Sequence, residues 1–188
     1  MSVDPALDPL SPANGYRGVG LTNSGPGTLT LTGPIGVNRT SLAQTPAFTA
    51  QTADLELLGG ISGNDVAFNA NAGLVLRLGD ANTFASGSIG GAGKVEAATL
   101  TNVGVASSLG TGGGTGISGT LSYVGAGAST NRAWGLSGTL SNDGTGALTL
   151  SGGTSLTGTG TLGGSFTGAD NVISGVISRA GNLRGAMS

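Results

Sequence analysis

Two acidic side chains, Asp54 and Glu56, stand two positions apart in the run Asp54-Leu55-Glu56-Leu57. Alternate residues of a β-strand project from the same face, so both carboxylates are expected on one outer surface, roughly 6–7 Å apart at Cα. Paired carboxylates perform glycoside hydrolysis. Aromatic residues amount to only 4% of the chain, however, and no aromatic cluster accompanies the pair. We therefore interpret the pair as a solvated strand face and predict no catalytic residue.

Residues 59–66, with the sequence GGISGNDV, look like the calcium-binding nonapeptide of β-rolls, in which glycines turn the chain while aspartate and carbonyl oxygens hold the ion. One residue too many separates the glycines from Asp65, and the segment is a single copy. The chain contains no histidine and no cysteine, which removes the commonest general base and the thiolate ligands. We predict neither a metal site nor a cofactor.

Three larger side chains form a candidate contact patch. Trp134 and Arg132 stand together in Asn131-Arg132-Ala133-Trp134, and Tyr123 lies in the preceding strand candidate. Exposed Trp, Tyr and Arg are enriched in binding hot spots. The ordinary alternative, which we favour, is that the indole covers an irregular corner of the fold.

Threonine and serine recur two residues apart, in Thr28/Thr30, Thr99/Thr101, Thr120/Ser122, Thr139/Ser141 and Thr149/Ser151. Stacked on a flat face, such hydroxyls could order water as ice-binding solenoids do, but threonine also suits any half-exposed strand. Asp54, Glu56 and Arg77 interrupt the series, so we favour an ordinary strand surface.

These residues belong to short bursts of strict apolar/polar alternation, which is typical of half-buried β-strands. The bursts are Thr28–Thr32, Asp54–Leu57, Leu74–Leu78, Thr99–Thr101, Thr120–Tyr123, Thr139–Ser141, Leu148–Ser151 and Thr161–Leu162. Leu29, Leu55, Leu74, Leu100, Leu121, Leu140 and Leu162 serve as anchors spaced by about 22 residues, the length of one solenoid turn. The pattern predicts an all-β chain, a β-solenoid of about seven coils of about 22 residues, with the leucines inside.

Glycine, 39 of the 188 residues, fits this fold because a coil that turns a corner every few residues needs backbone with φ > 0. The pairs 59–60, 90–91, 152–153 and 163–164 are predicted corners, and residues 110–116 a looser loop. One coil of about 22 residues cannot repay its own ordering entropy, so stacking is obligatory. We expect an N-terminal arm or atypical terminal coil over residues 1–26, a solenoid domain over 27–188, and an irregular insertion near 34–52.

Composition excludes several functions. Seven basic and nine acidic residues give a net charge of −2, so the basic footprint of a nucleic-acid partner is absent. No apolar stretch approaches the roughly 20 residues of a membrane span, and the first residues lack the basic and apolar regions of a signal peptide. Hydrophobic residues, at 37%, are too abundant for a disordered linker.

The segment TLTNVGVASSLGTGGGTG (99–116), followed by ISGTLSYVGAGASTNRAWGLSGTLSNDGTGALTLSGG (117–153), resembles the autotransporter-associated β-strand repeats of very large bacterial surface proteins. GTLTLTG (27–33) and TSLTGTGTLGGS (154–165) are similar to further members of that class. The resemblance implies a passenger-type right-handed parallel β-helix, exposed extracellularly or at the cell surface, without catalytic residues. Export is inferred from the resemblance, since members normally carry a signal and often an outer-membrane barrel that these residues do not show.

We therefore expect a non-catalytic structural module, a stalk or fibre segment that connects or displays other parts at a cell surface. With uncapped sheet edges and little charge, it is expected to stack end to end or to continue into neighbouring domains of a larger chain. The alternative is a glycan- or receptor-binding adhesin or phage tail-fibre segment that uses the patch around Trp134. A polysaccharide-degrading β-helix enzyme is the third hypothesis.

Overall fold

The computed structural model describes residues 20–37, 45–158, 160–162 and 170–179, and this part of the chain consists of short β-strands without a helix. The strands are β1 (Leu21–Asn23), β2 (Leu29–Leu31), β3 (Ile35–Val37), β4 (Ala47–Ala50), β5 (Leu55–Leu57), β6 (Ile61–Gly63), β7 (Asp65–Ala70), β8 (Val75–Leu78), β9 (Ser86–Gly90), β10 (Lys94–Ala97), β11 (Gly114–Ile117), β12 (Thr120–Tyr123), β13 (Ala128–Thr130), β14 (Ala133–Leu136), β15 (Thr139–Asn142), β16 (Leu148–Leu150), β17 (Thr154–Leu156), β18 (Thr161–Leu162), β19 (Val172–Ile173) and β20 (Ile177–Arg179).

The chain visits its sheets in a repeating order. The eight-stranded sheet has the order β1-β4-β7-β9-β11-β14-β17-β20, and the seven-stranded sheet has the order β18-β15-β12-β10-β8-β5-β2. Two smaller sheets, β3-β6 and β13-β16-β19, form parts of a third side. The paired strands of all four sheets are parallel. The chain thus passes repeatedly from the eight-stranded to the seven-stranded sheet and back, which agrees with the predicted parallel β-helix.

The strand register aligns the inward leucines. In the seven-stranded sheet the column of inward side chains runs through Leu29, Leu55, Leu76, Val95, Leu121 and Leu140. The predicted anchors Leu74 and Leu100 are wrong, because Leu74 precedes β8 and Val95 of β10 takes the place given to Leu100. The strand around Val95 escaped detection because Lys94-Val95-Glu96-Ala97 holds one large apolar residue between two charges.

Two further predictions are wrong in and directly after residues 99–112, here called the junction loop. Thr99-Leu100-Thr101 is not a strand, since its hydroxyls close the loop locally: Thr101 Oγ1 donates to the Val105 carbonyl at 2.9 Å. The glycine-rich stretch after it is not loose either. Gly114–Ile117 form β11, and a Cβ on Gly112 would overlap the carbonyl oxygen of Ala85.

The interior is a continuous apolar column with an aromatic section. Phe48 and Phe68 stack with ring centroids 5.9 Å apart, and Phe84 lies against Phe68 at 5.4 Å. Leu55, Leu76, Val95, Leu121 and Leu140 are fully buried. The outward positions between them carry polar side chains, as the alternation predicts.

Glycine has a different role at most corners from the one predicted. Among the predicted corner pairs that the structure describes, Gly91 has a positive φ of 86°. Gly152 has no positive φ, but it lies directly against the preceding coil, where a Cβ would overlap the Arg132 carbonyl oxygen. Close coil-on-coil approach therefore requires this glycine. The predicted pair at 163–164 lies outside the described residues.

Two segments that depart from the sequence repeat nevertheless contribute paired strands. Within the predicted arm 1–26, β1 pairs with β4, and Leu21 lies opposite Phe48. Within the predicted insertion 34–52, β3 pairs with β6 and β4 with β7. Both segments extend the same stack. The remaining parts of these segments, 1–19 and 38–44, lie outside the described residues.

Candidate functional surface

The three residues of the predicted contact patch are inside the fold. Tyr123 is 1% exposed, Arg132 1% and Trp134 2%. Tyr123 and Trp134 occupy inward positions of β12 and β14, and the Tyr123 hydroxyl accepts a hydrogen bond from the Gly127 amide at 2.9 Å. These side chains therefore do not form an exposed patch. Strand parity turns Tyr123 and Trp134 inward, and the Trp134 indole Nε1 is buried without a hydrogen-bond partner.

The Arg132 guanidinium is enclosed by oxygen atoms of the junction loop. It donates to five backbone carbonyls and one hydroxyl: those of Thr101 at 2.9 Å, Leu109 at 3.2 Å, Val105 at 3.4 Å, Gly110 at 2.5 Å, Gly112, and Ser107 Oγ at 3.2 Å. All six acceptors are neutral. Burial lowers the pKa of Arg132 below its ordinary value. A buried cation of this kind is tolerated only because its donors are satisfied.

A row of charges lies on the outer face of the seven-stranded sheet. Glu56, Arg77 and Glu96 are consecutive register partners, and Arg77 reaches Glu56 at 2.5 Å and Glu96 at 3.0 Å. The hydrogen bond to Glu96 is the largest cause that raises the pKa of Arg77; partial burial opposes it, and the charges of both glutamates reinforce it. The row joins three successive coils. Glu56 thus has a structural partner, in keeping with the predicted solvated strand face.

A second polar cluster covers the next strands of the same face. Asp143 Oδ2 accepts from Lys94 Nζ at 2.9 Å and from Ser122 Oγ at 2.7 Å. Ser122 and Ser141 face outward by parity but are buried, at 0% and 4% exposure. Partial burial alone would raise the pKa of Asp143, but the hydrogen bonds from Ser122 and Lys94, the Lys94 charge and a bond from Ser141 outweigh it and lower that pKa. The serines therefore do not form part of an open hydroxyl array.

The outer face of the eight-stranded sheet is uncharged over its central strands, β9, β11, β14 and β17. Ser88, Gly116, Gly135 and Ser155 are register partners there, and all four are exposed. This surface carries neither a nucleophile and base pair nor a cluster of titratable groups. It can support contact along its length, but it offers no catalytic constellation.

The described residues contain neither a metal-binding cluster nor a membrane-spanning helix. Within them, no group of three or more His, Cys, Asp or Glu side chains is arranged to hold a metal ion. Residues 59–66, which look like a calcium-binding nonapeptide, contain β6 and the start of β7, and Ile61–Gly63 pair in register with β3. No helix in the described ranges has the length and apolar character needed to cross a membrane.

The last described coil leaves its apolar side chains exposed. Val172, Ile173, Val176 and Ile177 have 46%, 38%, 78% and 51% of their surfaces exposed. β20 and β19 are the edge strands of their sheets, so their outer backbone groups face away from the stack. The last described coil therefore exposes apolar side chains and edge-strand backbone groups together.

Several structurally important residues were missed by sequence reasoning. Asn23 and Asn142 are buried, and each fixes a corner by donating to the carbonyl four residues ahead while accepting from the amide two residues ahead. Their signal was present: Leu-(Thr/Ser)-Asn-x-Gly-x-Gly-x-Leu-Thr-Leu occurs at residues 21–31 and again at 140–150. Asp143 and Arg132 had no such signal, because their partners are distant in sequence.

Comparison with known proteins gives one informative relationship. The adhesin BmaC autotransporter of Brucella suis biovar 1 (strain 1330) is 46% identical to this chain over 165 residues, which cover 80% of the chain and 5% of that protein. The chain thus spans about one twentieth of the relative's length. No protein-family model matches the chain, and no solved structure gives a significant match. The resemblance to autotransporter surface proteins that the sequence indicates is confirmed by this relative.

Proposed function

We propose that this chain, a homologue of part of an autotransporter adhesin, is a non-catalytic β-solenoid segment that serves as a rigid stalk or fibre element in a surface-exposed protein. The observation that carries the proposal is the repeated passage between two parallel sheets with aligned inward side chains. Each additional coil lengthens a solenoid of this kind by about 4.8 Å. The eight strands of the larger sheet correspond to a rod roughly 35 Å long.

The chain is proposed to act outside the cell or at its surface, within a longer protein. Support comes from the homologous adhesin, of which a chain of this length covers 5%. The exposed Val172, Ile173, Val176 and Ile177 support contact with a further coil, supplied by neighbouring domains or by another copy stacked end to end. Such contact would bury apolar surface and satisfy edge-strand backbone groups at the same time.

Coil deletion tests the stalk proposal. Trp134 lies opposite Thr154, so removal of residues 134–153 takes out one coil in register, whereas removal of 134–152 shifts the following strand by one residue. A one-residue shift turns inward side chains outward. We expect the first variant to remain a folded rod, shorter by about 5 Å in small-angle scattering, and the second to lose cooperative unfolding. Equal behaviour of the two variants would contradict the proposal.

A direct binding role on a lateral face is the second candidate, and the relative's name as an adhesin favours it. The uncharged face that includes Gly116 and Gly135, or the charged row around Arg77, would then contact a surface glycan or receptor. A glycan array with the purified chain separates the roles. Dose-dependent retention of one glycan class, lost on Arg77→Ala or Gly135→Lys, would favour binding; absence of retention with an intact rod would favour the stalk.

A further inference from the structure

The junction loop lies between two regular stacks. The N-terminal half, residues 21–97, has β3 and β6 on its third side, whereas the C-terminal half, residues 114–179, has β13, β16 and β19 there. Between them the third side consists of residues 82–84 and the junction loop. The loop therefore replaces one strand layer of the third side, between two parts whose main sheets continue through the β9–β11 and β10–β12 pairings.

One edge of the junction loop forms hydrogen bonds with the N-terminal half. Asn82, fully buried, accepts from the Ile61 amide at 2.8 Å and donates to the Ser108 carbonyl at 2.9 Å. The Thr111 amide donates to the Phe84 carbonyl at 3.0 Å. Gly110, at φ 70°, lets the loop backbone approach Phe84 so closely that a Cβ would overlap it. One edge of the loop is thus held by backbone and amide groups.

Three consecutive residues of the C-terminal half bind the other edge. Thr130 Oγ1 donates to the Thr101 carbonyl at 2.8 Å. The Asn131 amide donates to Asn102 Oδ1 at 3.0 Å, while Asn131 Oδ1 accepts from the Val103 amide at 2.8 Å. Arg132 then inserts its guanidinium among the loop carbonyls. The loop is closed around a side chain that arrives only when β13 and β14 stack on the preceding coils.

We infer that the junction loop is a coupling element, ordered by Arg132, that makes the two halves unfold as one cooperative unit. Solenoid stability is a sum of coil and nearest-neighbour terms, so an irregular layer is where cooperativity breaks unless its interface is reinforced. Removal of the guanidinium takes the donor from the Leu109 and Gly112 carbonyls, a cost that falls on this interface. The Thr101, Val105 and Gly110 carbonyls each lose one of two donors and keep a hydroxyl, that of Thr130, Thr101 or Ser107. Arg132 is thus the positioning residue for both the loop and the joint.

The chemistry requires arginine and not simply a positive charge. Arginine offers five N–H donors in a planar fork, whereas lysine offers three donors on one atom. The acceptors around Arg132 extend from Thr101 to Gly112, a spread that one ammonium group cannot reach. Arg132→Lys should therefore behave like Arg132→Met, which removes the charge and keeps most of the volume.

Hydrogen exchange with mass spectrometry, together with denaturant unfolding, tests the inference. In Arg132→Lys and Arg132→Met we expect amides of residues 101–111 to exchange on the order of 100-fold faster, while those of β5 and β8 stay protected. We also expect the single unfolding transition to separate into two. Arg179→Met, at an exposed arginine of β20, is the control and should leave both readouts unchanged. Unchanged loop protection and a single transition in both Arg132 variants would overturn the inference.

Two further measurements test the inference in case the Arg132 variants do not fold. In the wild-type chain under rising denaturant, loop amides should open in one step with those of both halves; an independent opening of the loop at lower denaturant would overturn the inference. Ethylguanidinium at millimolar concentration should restore loop protection in Arg132→Ala, whereas ethylammonium should not. Equal effects of the two cations would show that the fork of donors is not what orders the loop.

Discussion

The two halves of the solenoid fill their interiors differently. The N-terminal half packs Phe48, Phe68 and Phe84 against one another and buries the polar Asn23 and Asn82. The C-terminal half buries Thr130, Asn142 and Thr154 together with Tyr123 and Trp134. Both keep the same parallel ladder. The difference teaches that the ladder tolerates polar interior positions where side chains such as Thr130 and Asn142 bond to backbone at corners, whereas apolar packing carries the straight segments.

The largest expected effect is the loss of the central aromatic ring. Phe68→Ala should lower the free energy of unfolding by about 3–5 kcal/mol, because it removes a buried ring and its contacts with two neighbours. Leu136→Ala, in the same inward column of the C-terminal half, should cost less because no aromatic pair is lost there. Urea unfolding measures both. A larger loss for Leu136→Ala would reverse the comparison between the halves.

The second expected effect comes from coil-on-coil approach. Gly152→Ala should destabilise the chain by about 2–4 kcal/mol, since the added methyl group overlaps the Arg132 carbonyl oxygen. Gly116→Ala is the matched control: its Cβ meets open space in a strand without positive φ, and it should be neutral or slightly stabilising. Thermal midpoints of the two variants should therefore move in different directions. Similar shifts would refute the packing explanation for Gly152.

Much of the repeat could be predicted from sequence, but only for one of the two main sheets. β2, β5, β8, β12 and β15 alternate large leucines with polar residues, which produces a clear signal. The eight-stranded sheet escaped detection because strands such as β9 and β11 place Ile89 or Ile117 among glycine and serine. Their identity as strands is decided by stacking on neighbours, and no local pattern contains that information.

The residues of the predicted contact patch lie inside the fold for a related physical reason. Large polar and aromatic residues near a corner can face either solvent or the core, and the parity of β14 decided for Trp134. The acceptors that enclose Arg132 lie 20 to 31 residues earlier, in the junction loop, whose first three residues were predicted to be a strand. The Asn-x-Gly-x-Gly corner is the counterexample, since its bonds are local and its motif could have been recognised.

That corner motif gives the third prediction, which compares the halves directly. Asn142→Ala should cost about 1–3 kcal/mol, because it removes the buried side chain that accepts from the Gly144 amide and donates to the Gly146 carbonyl. Asn23→Ala removes the same two local bonds in the first described coil. We expect it to affect global unfolding less, since an end coil can open separately. Hydrogen exchange at Gly25 and Gly144 would report each corner.

A smaller effect is expected from the outer charges, and it depends on pH. The pKa of Asp143 is lowered in the folded chain, so its carboxylate stabilises the fold at pH values above the ordinary carboxyl pKa, near 3.9. That contribution is lost as the pH falls through the lowered pKa. Because Lys94 and Asp143 are partly exposed, we expect less than about 1 kcal/mol.

Asp143→Asn isolates this contribution, because the amide retains an acceptor for Ser122 but cannot pair with the Lys94 charge. The difference in unfolding free energy between wild type and variant should be present at pH 7 and should shrink toward pH 3. High salt at pH 7 should reduce it in the same direction, since the Lys94 pair is open to solvent screening. A difference that stays constant with pH and salt would assign the stabilisation to packing over Ser122 and Ser141, and not to charge.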